Sequence, residues 1–223
     1  MRAVFSSLIT YILVFASIAS ATIIKVPEDY TTIQDGIDIS VNGDTVMVAP
    51  GIYSGSRNRN ITTAGKAILV MGEFGALNTI IDCAFDQTGF IISDSEGANT
   101  VIAGFTIKNS LKGIFCDGTS PTIKSCIFND FFAYGVHVDG YSGDPAVSPI
   151  IEDCIFEQVS NDYFGWGDGI YGYRAANITI SGSKFARCEH GMNYHAYNNL
   201  RPYFDITKCL FRNITGNGIW THS

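Results

Sequence analysis

The sequence has few charged residues and no cluster of basic ones. Charged side chains make up 16% of the 223 residues, and the formal net charge is −7. A protein that binds nucleic acid or an anionic membrane surface needs a basic patch to attract phosphate groups. No run of lysines and arginines exists in this chain. The composition therefore argues against both kinds of partner.

Two sequence patterns are also missing, and each absence excludes a class. Leucine is scarce and the Leu-x-x-Leu-x-Leu pattern does not occur, which excludes a leucine-rich solenoid. No Cys-x-x-Cys pair occurs, so nothing indicates a zinc site of the zinc-finger type. The sequence accordingly predicts no metal site and no cofactor.

The chain also lacks an apolar run long enough to favour a membrane-spanning helix. Its apolar stretch, residues 8–18, is shorter than the roughly 20 residues that a bilayer requires. Met1-Arg2 precedes this stretch and Ala19-Ser20-Ala21 follows it, which is typical of a secretory signal peptide. We expect residues 1–21 to be removed and the protein to be secreted or held at the cell surface. A retained anchor is the alternative.

A six-residue phrase, Ile-x-x-Cys-x-Phe, recurs along the chain with small variations. Successive copies begin 21 to 29 residues apart, and no helical pattern separates them. Such a period is typical of a solenoid, in which each repeat buries its apolar face against its neighbours. The six copies begin at Ile80, Ile102, Ile123, Ile151, Ile180 and Ile206.

A second phrase, a glycine followed by an apolar residue, lies between the copies. Alternating burial after each glycine is typical of a short strand. Coils of about 22 residues with β-branched and aromatic interiors fit a right-handed parallel β-helix. We therefore predict an all-β solenoid over residues 22–223. The five copies begin at Gly113, Gly135, Gly169, Gly191 and Gly218.

The cysteines of the first phrase are predicted to stack inside the solenoid rather than to form disulfides. Side chains on adjacent parallel strands lie about 4.8 Å apart and point the same way, which is poor geometry for a disulfide. Cysteine in such a position acts as a small apolar residue. The predicted ladder contains Cys83, Cys126, Cys154 and Cys209, with Phe105 and Ser183 at the equivalent positions of the other two copies.

The two ends of the predicted domain differ. Thr31 and Gln34 fit a capping box at the start of a short helix that carries Ile33 and Ile37 on one face. This helix would cover the open end of the solenoid, with 45–48 as the first strand. After Gly218 another coil begins without a cap. Because solenoids need capping repeats, we expect the chain to be a truncated form of a longer protein.

The opening of the mature chain resembles the pectin-lyase-like β-helix proteins, specifically the secreted bacterial β-helix repeat members. The resemblance begins with Val26-Pro27-Glu28-Asp29-Tyr30-x-Thr32-Ile33-Gln34 and continues through Asn42-Gly43-Asp44-Thr45-Val46 to Pro50-Gly51-x-Tyr53. It implies a parallel β-helix. Members of this superfamily include polysaccharide lyases, polygalacturonases, pectin methylesterases, tailspikes and surface proteins.

The catalytic motifs of those enzymes are absent. The Asn-Thr-Asp, Asp-Asp, Gly-His-Gly and Arg-Ile-Lys motifs of polygalacturonases do not occur, nor do the Gln-Asp-Thr segment of pectin methylesterases or the Arg-x-Pro-x-x-Arg segment of pectate lyases. No set of catalytic residues carries over from the resemblance.

A candidate site emerges when the Gly-Ile strands are aligned. The second and fourth residues after each glycine should point outward, and they include aromatic, histidine and aspartate side chains where a purely structural solenoid would carry small polar ones. Aromatic faces beside hydrogen-bonding groups suit a sugar. The second-residue column contains Phe115, His137, Tyr171, Asn193 and Trp220, and the fourth-residue column contains Asp117, Asp139, Tyr173, His195 and His222.

Long segments between repeats flank the same strands. Residues 141–149, 160–168 and 196–202 would bring further aromatic side chains to the rim of a groove over residues 137–195. Insertions on one face of a solenoid usually mark its binding face.

The leading hypothesis is an exported protein that binds a polysaccharide, with cleavage by a lyase or glycoside-hydrolase reaction as an extension of that hypothesis. Whether the protein is an enzyme stays open. A non-enzymatic surface or adhesive module is the alternative. A Ca²⁺ site using Asp139, Asp144, Asp162 and Asp168 is an alternative to a metal-free site. The candidate catalytic residues are His137, Asp139, Asp168, Tyr173, Arg174 and His195, and the candidate substrate-binding residues are Tyr171, Asn193, Trp166, Tyr141, Tyr197 and Trp220.

Overall fold

The computed structural model describes residues 20–140, 147–158, 167–174, 177–196 and 203–222. Within these ranges, no helix combines the length and apolar character needed to cross a bilayer. The described residues form one short helix, α1 (Ile33–Ile39), and twenty strands. The strands are β1 (Ile23–Val26), β2 (Thr45–Val48), β3 (Gly51–Tyr53), β4 (Ile61–Thr62), β5 (Leu69–Gly72), β6 (Thr79–Asp82), β7 (Thr88–Ile92), β8 (Val101–Ala103), β9 (Thr106–Asp117), β10 (Thr122–Lys124), β11 (Ile127–Asp139), β12 (Ile150–Glu152), β13 (Ile155–Glu157), β14 (Asp168–Tyr173), β15 (Asn177–Ser181), β16 (Lys184–Ala186), β17 (Met192–His195), β18 (Tyr203–Thr207), β19 (Leu210–Arg212) and β20 (Ile219–His222).

The strands wind into a parallel β-helix with three faces, as the sequence predicts. The first face is an eight-stranded parallel sheet, ordered β1-β2-β5-β8-β10-β12-β15-β18. The other twelve strands form one sheet that bends within its long strands β9 and β11. The bend separates a second face, which ends with β13, β16 and β19, from a third face, which ends with β14, β17 and β20. Each coil contributes one segment to each face.

The corner between the first and second faces is made by a residue in the left-handed backbone conformation. It is the third residue of each Ile-x-x-Cys copy, with φ between 51° and 70°. This conformation turns the chain sharply, and the residue that follows, a cysteine in three of the five copies, points towards the core. The corner residues are Gly104, Ser125, Asp153, Gly182 and Lys208.

The glycine of the second phrase lies just after the bend between the second and third faces, which is marked in β11 by a register shift between Phe131 and Tyr134. A Cβ added to Gly135 would lie 2.5 Å from Cδ1 of Phe156 and 2.6 Å from the carbonyl oxygen of Gly169. Any side chain at this position would collide with the next coil, so the close approach requires glycine. Gly113, Gly169 and Gly191 meet the next coil in the same way.

The phenylalanines of the first phrase stack directly beneath these glycines. The centroids of the rings of Phe128, Phe156, Phe185 and Phe211 are 4.7 to 4.9 Å apart, and neighbouring planes differ by 2° to 9°. The glycine of one coil and the phenylalanine of the next therefore pack as a unit. This contact explains why both phrases recur together.

The predicted cysteine ladder is present from the second copy onward. Cys126 and Cys154 are fully buried, and the backbone N–H of Cys154 donates to Ser183 Oγ at 3.2 Å. All six cysteines are free. Burial raises the pKa of the Cys154 thiol well above its usual range. These thiols act as small core side chains.

The prediction was wrong for the first copy of the phrase, which lies on the second face of the coil and not on the first. Ile80 pairs with Thr106 on the second face, whereas the first-face partner of Ile102 is Val70. Phe85, the last residue of this copy, is 62% exposed. The segment Ile80-x-x-Cys83-x-Phe85 only resembles the repeat, because a second-face strand happens to carry the same residue types. Cys83 is buried but is not part of the ladder.

The N-terminal region also differs from the prediction in two details. The helix cap is Thr32 rather than Thr31, because Thr32 Oγ1 accepts a hydrogen bond from the Asp35 N–H at 3.2 Å. The first strand is β1, which pairs with β2 and precedes α1. Ile33 and Ile37 are both buried, as predicted.

Candidate functional site

The two outward columns predicted for the third face have the predicted register. In the second-residue column, His137 pairs with Phe115 on one side and with Tyr171 on the other. Tyr171 then pairs with Asn193, and Asn193 with Trp220. In the fourth-residue column the order is Asp117, Asp139, Tyr173, His195 and His222. Residues that are 22 to 34 positions apart in sequence thus become lateral neighbours.

A third column lies beside these two and consists of the residue before each glycine. Tyr134 pairs with Asp168. The Gly169 N–H donates to the carbonyl of His190 at 2.9 Å, and the Gly191 N–H donates to the carbonyl of Asn217 at 3.1 Å. The pairing of β11 with β9 shifts register between Phe131 and Tyr134, just before Gly135. The residue before the glycine and the second residue after it consequently border the same cleft.

A cleft of about 750 Å³ lies over this bend. Four predicted site residues line it: Asp168, Tyr171, Asn193 and Trp220. The other described residues that line it are Phe132, Ala133, Tyr134, Glu189, His190, Asn217 and His222.

A buried hydrogen-bonded group forms the polar part of the cleft. Asp168 Oδ1 lies 2.9 Å from His190 Nδ1, and the Asn193 side-chain amide donates to Asp168 Oδ2 at 2.8 Å. All three residues are more than nine-tenths buried. Burial raises the pKa of Asp168, and the hydrogen bonds with Asn193 and His190 offset part of that effect. The carboxyl group is therefore held in place on both oxygens.

Glu189 adds a second carboxyl group to the same cleft. One oxygen of Glu189, one oxygen of Asp168 and one ring nitrogen of His190 all lie within 4.8 Å of one another. Burial raises the pKa of Glu189, and the negative charge of Asp168 acts in the same direction. Two carboxyl groups this close to an imidazole can exchange protons with a bound ligand or share a cation.

Aromatic rings stand on both sides of this polar group. The rings of Tyr134 and Tyr171 stack with centroids 4.6 Å apart and planes 15° apart. On the other side the Trp220 ring stacks on His190 at 4.7 Å and on His222 at 4.7 Å. Burial raises the pKa of Tyr171 to about 12, so this phenol keeps its proton at neutral pH.

His137 does not line the cleft. Its ring packs among Phe115, Tyr134 and Tyr171, with centroid distances of 4.8, 5.0 and 5.1 Å. Both ring nitrogens are buried, and neither has a hydrogen-bond partner among the described residues. Burial lowers the pKa of His137 to about 3, with a contribution from the charge of Lys112. The ring is neutral and supports the wall formed by the tyrosines.

The other predicted catalytic residues form a separate cluster further along the strands. Arg174 Nε lies 3.4 Å from Asp139 Oδ1, and the guanidinium lies 4.9 Å from the centroid of the Tyr173 ring. The His195 ring contacts Tyr173 at 5.4 Å and His222 at 4.3 Å. Burial raises the pKa of Asp139. Of the six candidate catalytic residues, only Asp168 lines the cleft.

Several predicted residues lie outside the described ranges. These are Trp166, Tyr141 and Tyr197, together with Asp144 and Asp162 of the alternative Ca²⁺ set. The remaining two members of that set are far apart on the third face. Asp168 is the first residue of β14, whereas Asp139 pairs with its last residue, Tyr173. Asp168 and Asp139 therefore lie near opposite ends of β14.

The cleft contains residues that are not among the predicted site residues, including Tyr134, Glu189 and His190. Two of them precede a glycine of the repeated phrase, as Asp168 does. An alignment extended one residue before each glycine would have placed Tyr134, Asp168 and His190 in one column. Glu189 carries no such signal, because it reaches the cleft from the segment before His190.

The chain belongs to the family described as the right-handed β-helix region. The model of that family matches residues 29–165, which is more than half of the chain. The predicted fold class and hand are confirmed by this match and by the three-faced parallel coil. No curated protein and no solved structure matches the chain.

Proposed function

We propose that this protein binds a neutral polysaccharide in the third-face cleft. The observation that carries this proposal is the buried Asp168–His190–Asn193 group between the Tyr134–Tyr171 stack and Trp220. Sugar rings have apolar C–H faces that pack on aromatic rings and hydroxyl groups that need polar partners. The β-helix supports both sets of side chains on rigid strands.

The charge of the cleft favours a neutral glycan over an acidic one. Asp168 and Glu189 line the cleft, and no lysine or arginine is found among its described lining residues. The nearby Arg174 pairs with Asp139 in the other cluster. A glycan with uronate carboxylates would be repelled by the cleft and by the net charge of −7.

The same distribution of charge favours hydrolysis over β-elimination if the bound glycan is cleaved. Elimination next to a uronate needs a cation to neutralise the substrate carboxylate, and the described lining residues supply none. They do supply groups that can donate and accept protons, namely Asp168, Glu189 and His190. A non-enzymatic binding module remains the alternative, and turnover distinguishes the two.

A panel of neutral and acidic polysaccharides, followed by calorimetry, tests the proposal. We expect binding of at least one neutral glycan. Tyr171→Ala and Trp220→Ala should each weaken it about tenfold, because each removes one aromatic contact. Phe74→Ala is the matched control, since Phe74 is 65% exposed and is not among the cleft residues. Equal losses in all three variants, or binding of acidic glycans alone, would refute the proposal.

Release of reducing ends from the bound glycan tests for hydrolysis. We expect any such activity to be lost in Asp168→Asn, which keeps the shape of the side chain but removes its acid–base group. Binding without release of reducing ends or of unsaturated products would identify a binding module.

A further inference from the structure

The cleft also contains a set of side chains suited to a metal ion. Asp168, Glu189 and His190 each present one ligand atom, and all three atoms lie within 4.8 Å of one another. A tetrahedral ion with bonds of about 2.0–2.2 Å holds its ligand atoms about 3.3–3.6 Å apart. Asp168 Oδ1 and His190 Nδ1 are already 2.9 Å apart. To hold an ion, these two atoms must separate by roughly half an ångström, and Glu189, which is half-buried, must bring its carboxyl oxygen to the same spacing.

A second feature points independently to a bound ligand. The side chain of Asn193 is 8% exposed and lines the same cleft. Its amide nitrogen is bonded to Asp168, but its buried Oδ1 has no hydrogen-bond partner among the described residues. A buried oxygen without a partner costs free energy. A cation would satisfy it.

The ligand types indicate which metal is preferred. One imidazole nitrogen, two carboxylate oxygens and one amide oxygen form a small mixed set. Zn²⁺ takes histidine and carboxylate ligands at low coordination number. Ca²⁺ needs six to eight oxygen ligands, and Mg²⁺ gives up its water reluctantly. The set therefore fits Zn²⁺ better than either of the hard cations.

We infer that Asp168, Glu189 and His190 form a Zn²⁺ site, with Asn193 as a further oxygen ligand or as the group that orients Asp168. His190 coordinates through Nδ1, in place of its contact with Asp168. The site goes beyond glycan binding and does not depend on it; the arguments above from charge and acid–base groups apply to the metal-free cleft, because Asp168, Glu189 and His190 cannot exchange protons with a glycan while they hold the ion. It would place a metal at the centre of the cleft, between the aromatic walls.

Calorimetry of the full chain with zinc chloride, in the absence of glycan, tests the inference directly. We expect one Zn²⁺ per chain, bound at least about 100-fold more tightly than Ca²⁺ or Mg²⁺. Glu189→Gln should weaken Zn²⁺ binding by about 10- to 100-fold. Glu152→Gln makes the same change in an exposed ion pair with Lys124 on the first face and should leave the affinity unchanged. No saturable binding, or equal losses in the two variants, would overturn the inference.

Two other places in the protein could hold Zn²⁺, and variants separate them from the proposed site. The His195 and His222 rings are 4.3 Å apart, and Cys209 is a free cysteine that is only partly buried. His195→Gln and Cys209→Ser should both retain full affinity. Substitution of Co²⁺ should give a spectrum without a sulfur-to-metal band. Loss of binding in either variant would assign the metal elsewhere and refute the site.

The Zn²⁺ inference and the glycan proposal can be refuted separately. Tyr171→Ala should lose glycan affinity and keep Zn²⁺ affinity, whereas Glu189→Gln should lose Zn²⁺ affinity. If zinc fails to bind while the Tyr171→Ala effect on glycan persists, the metal inference alone is wrong. If Tyr171→Ala leaves glycan binding unchanged while zinc binds as expected, the glycan proposal alone is wrong.

Discussion

At the scale of single residues, His137 is the clearest case of a side chain whose environment contradicts its chemistry. A neutral imidazole has one donor and one acceptor, and neither nitrogen has a partner among the described residues. Burial without hydrogen bonds costs free energy that the contacts with Phe115, Tyr134 and Tyr171 must offset. A phenylalanine ring at this position would make the same packing contacts as the histidine ring.

We therefore predict that His137→Phe stabilises the protein by about 1 kcal/mol, because it removes two unpaired nitrogens and keeps the ring contacts. Chemical denaturation at pH 7 measures the change. His195→Phe is a suitable comparison, since the buried ring nitrogens without a partner belong to His137 and not to His195 among the described residues, so that this variant should gain nothing. A destabilisation of His137→Phe by more than about 1 kcal/mol would show that an unseen partner bonds the ring.

The pKa of His137 also predicts how stability depends on pH. In the unfolded chain the ring takes up a proton near pH 6.5, but in the folded protein it does so only near pH 3. The folded state is therefore penalised as the pH falls between these values, by up to about 1.4 kcal/mol per pH unit. The difference in stability between His137→Phe and the native chain should grow as the pH falls from 6.5 towards 3. A constant difference over this range would contradict the pKa shift.

Ser125 illustrates a backbone cost that the glycines at two equivalent corners avoid. It occupies the left-handed corner with φ of 51°, and the equivalent residues Gly104 and Gly182 are glycines. Only glycine adopts this conformation without strain. We expect Ser125→Gly to stabilise the protein by about 0.5–1 kcal/mol, measured by denaturation. Ser125→Ala should not, because alanine keeps the Cβ; equal gains would refute the argument.

At the scale of the elements, the contact between glycine and phenylalanine controls how coils meet. We predict that Gly135→Ala costs at least about 1–3 kcal/mol, because the new methyl group overlaps the Phe156 ring and the carbonyl of Gly169. Thermal and chemical denaturation measure the loss. Gly97→Ala is the control, since a Cβ at Gly97 meets nothing within 4 Å, and it should change stability little.

The elements also explain what could be predicted from the sequence. Inward-facing positions carry similar residues in successive coils because each must fill a space of the same shape in the core. The repeated pattern that includes Ile102, Cys126 and Phe128 therefore predicts the fold. Outward positions face no such demand and vary. Their register followed correctly from the glycines. Tyr134 was not predicted because the register shift between Phe131 and Tyr134 breaks the two-residue alternation of a strand, and His190 was not included because it lies before β17 rather than within it.

The mistaken first copy has a related physical cause. A strand on the second face needs buried β-branched residues just as one on the first face does. In this strand the buried isoleucine is Ile81, whereas Ile80 is half-buried and Phe85, after the strand, is exposed. Ile80, Cys83 and Phe85 therefore match the repeat in residue type and not in position. Only strand pairing, which fixes Ile80 against Thr106, separates the two cases, and pairing is not visible in one sequence.

At the scale of the whole molecule, the free cysteines report on how the coils separate. In a solenoid each coil contacts only its neighbours, so unfolding need not be simultaneous. The cysteines occur in coils from Cys83 to Cys209; all except Cys209 are buried. We predict that a thiol reagent modifies Cys209 first in the native protein, and that Cys126 and Cys154 react only when the protein unfolds.

Pulsed labelling followed by peptide mass spectrometry resolves the order. Labelling of Cys126 and Cys154 at the rate of Cys209 under native conditions would contradict their burial. Labelling of all the buried thiols at one denaturant concentration would indicate that the coils unfold together. A graded order would indicate that they separate one after another.

The contact between glycine and phenylalanine has a consequence for how proteins of this kind can change over time. The glycine of each coil packs against the phenylalanine of the next coil in the same way. An entire coil can therefore be inserted or deleted while the packing between coils is preserved. Such a change would bring different outward-facing side chains next to one another while the β-helix stays folded. The binding surface can change in this way without any change in the core that supports it.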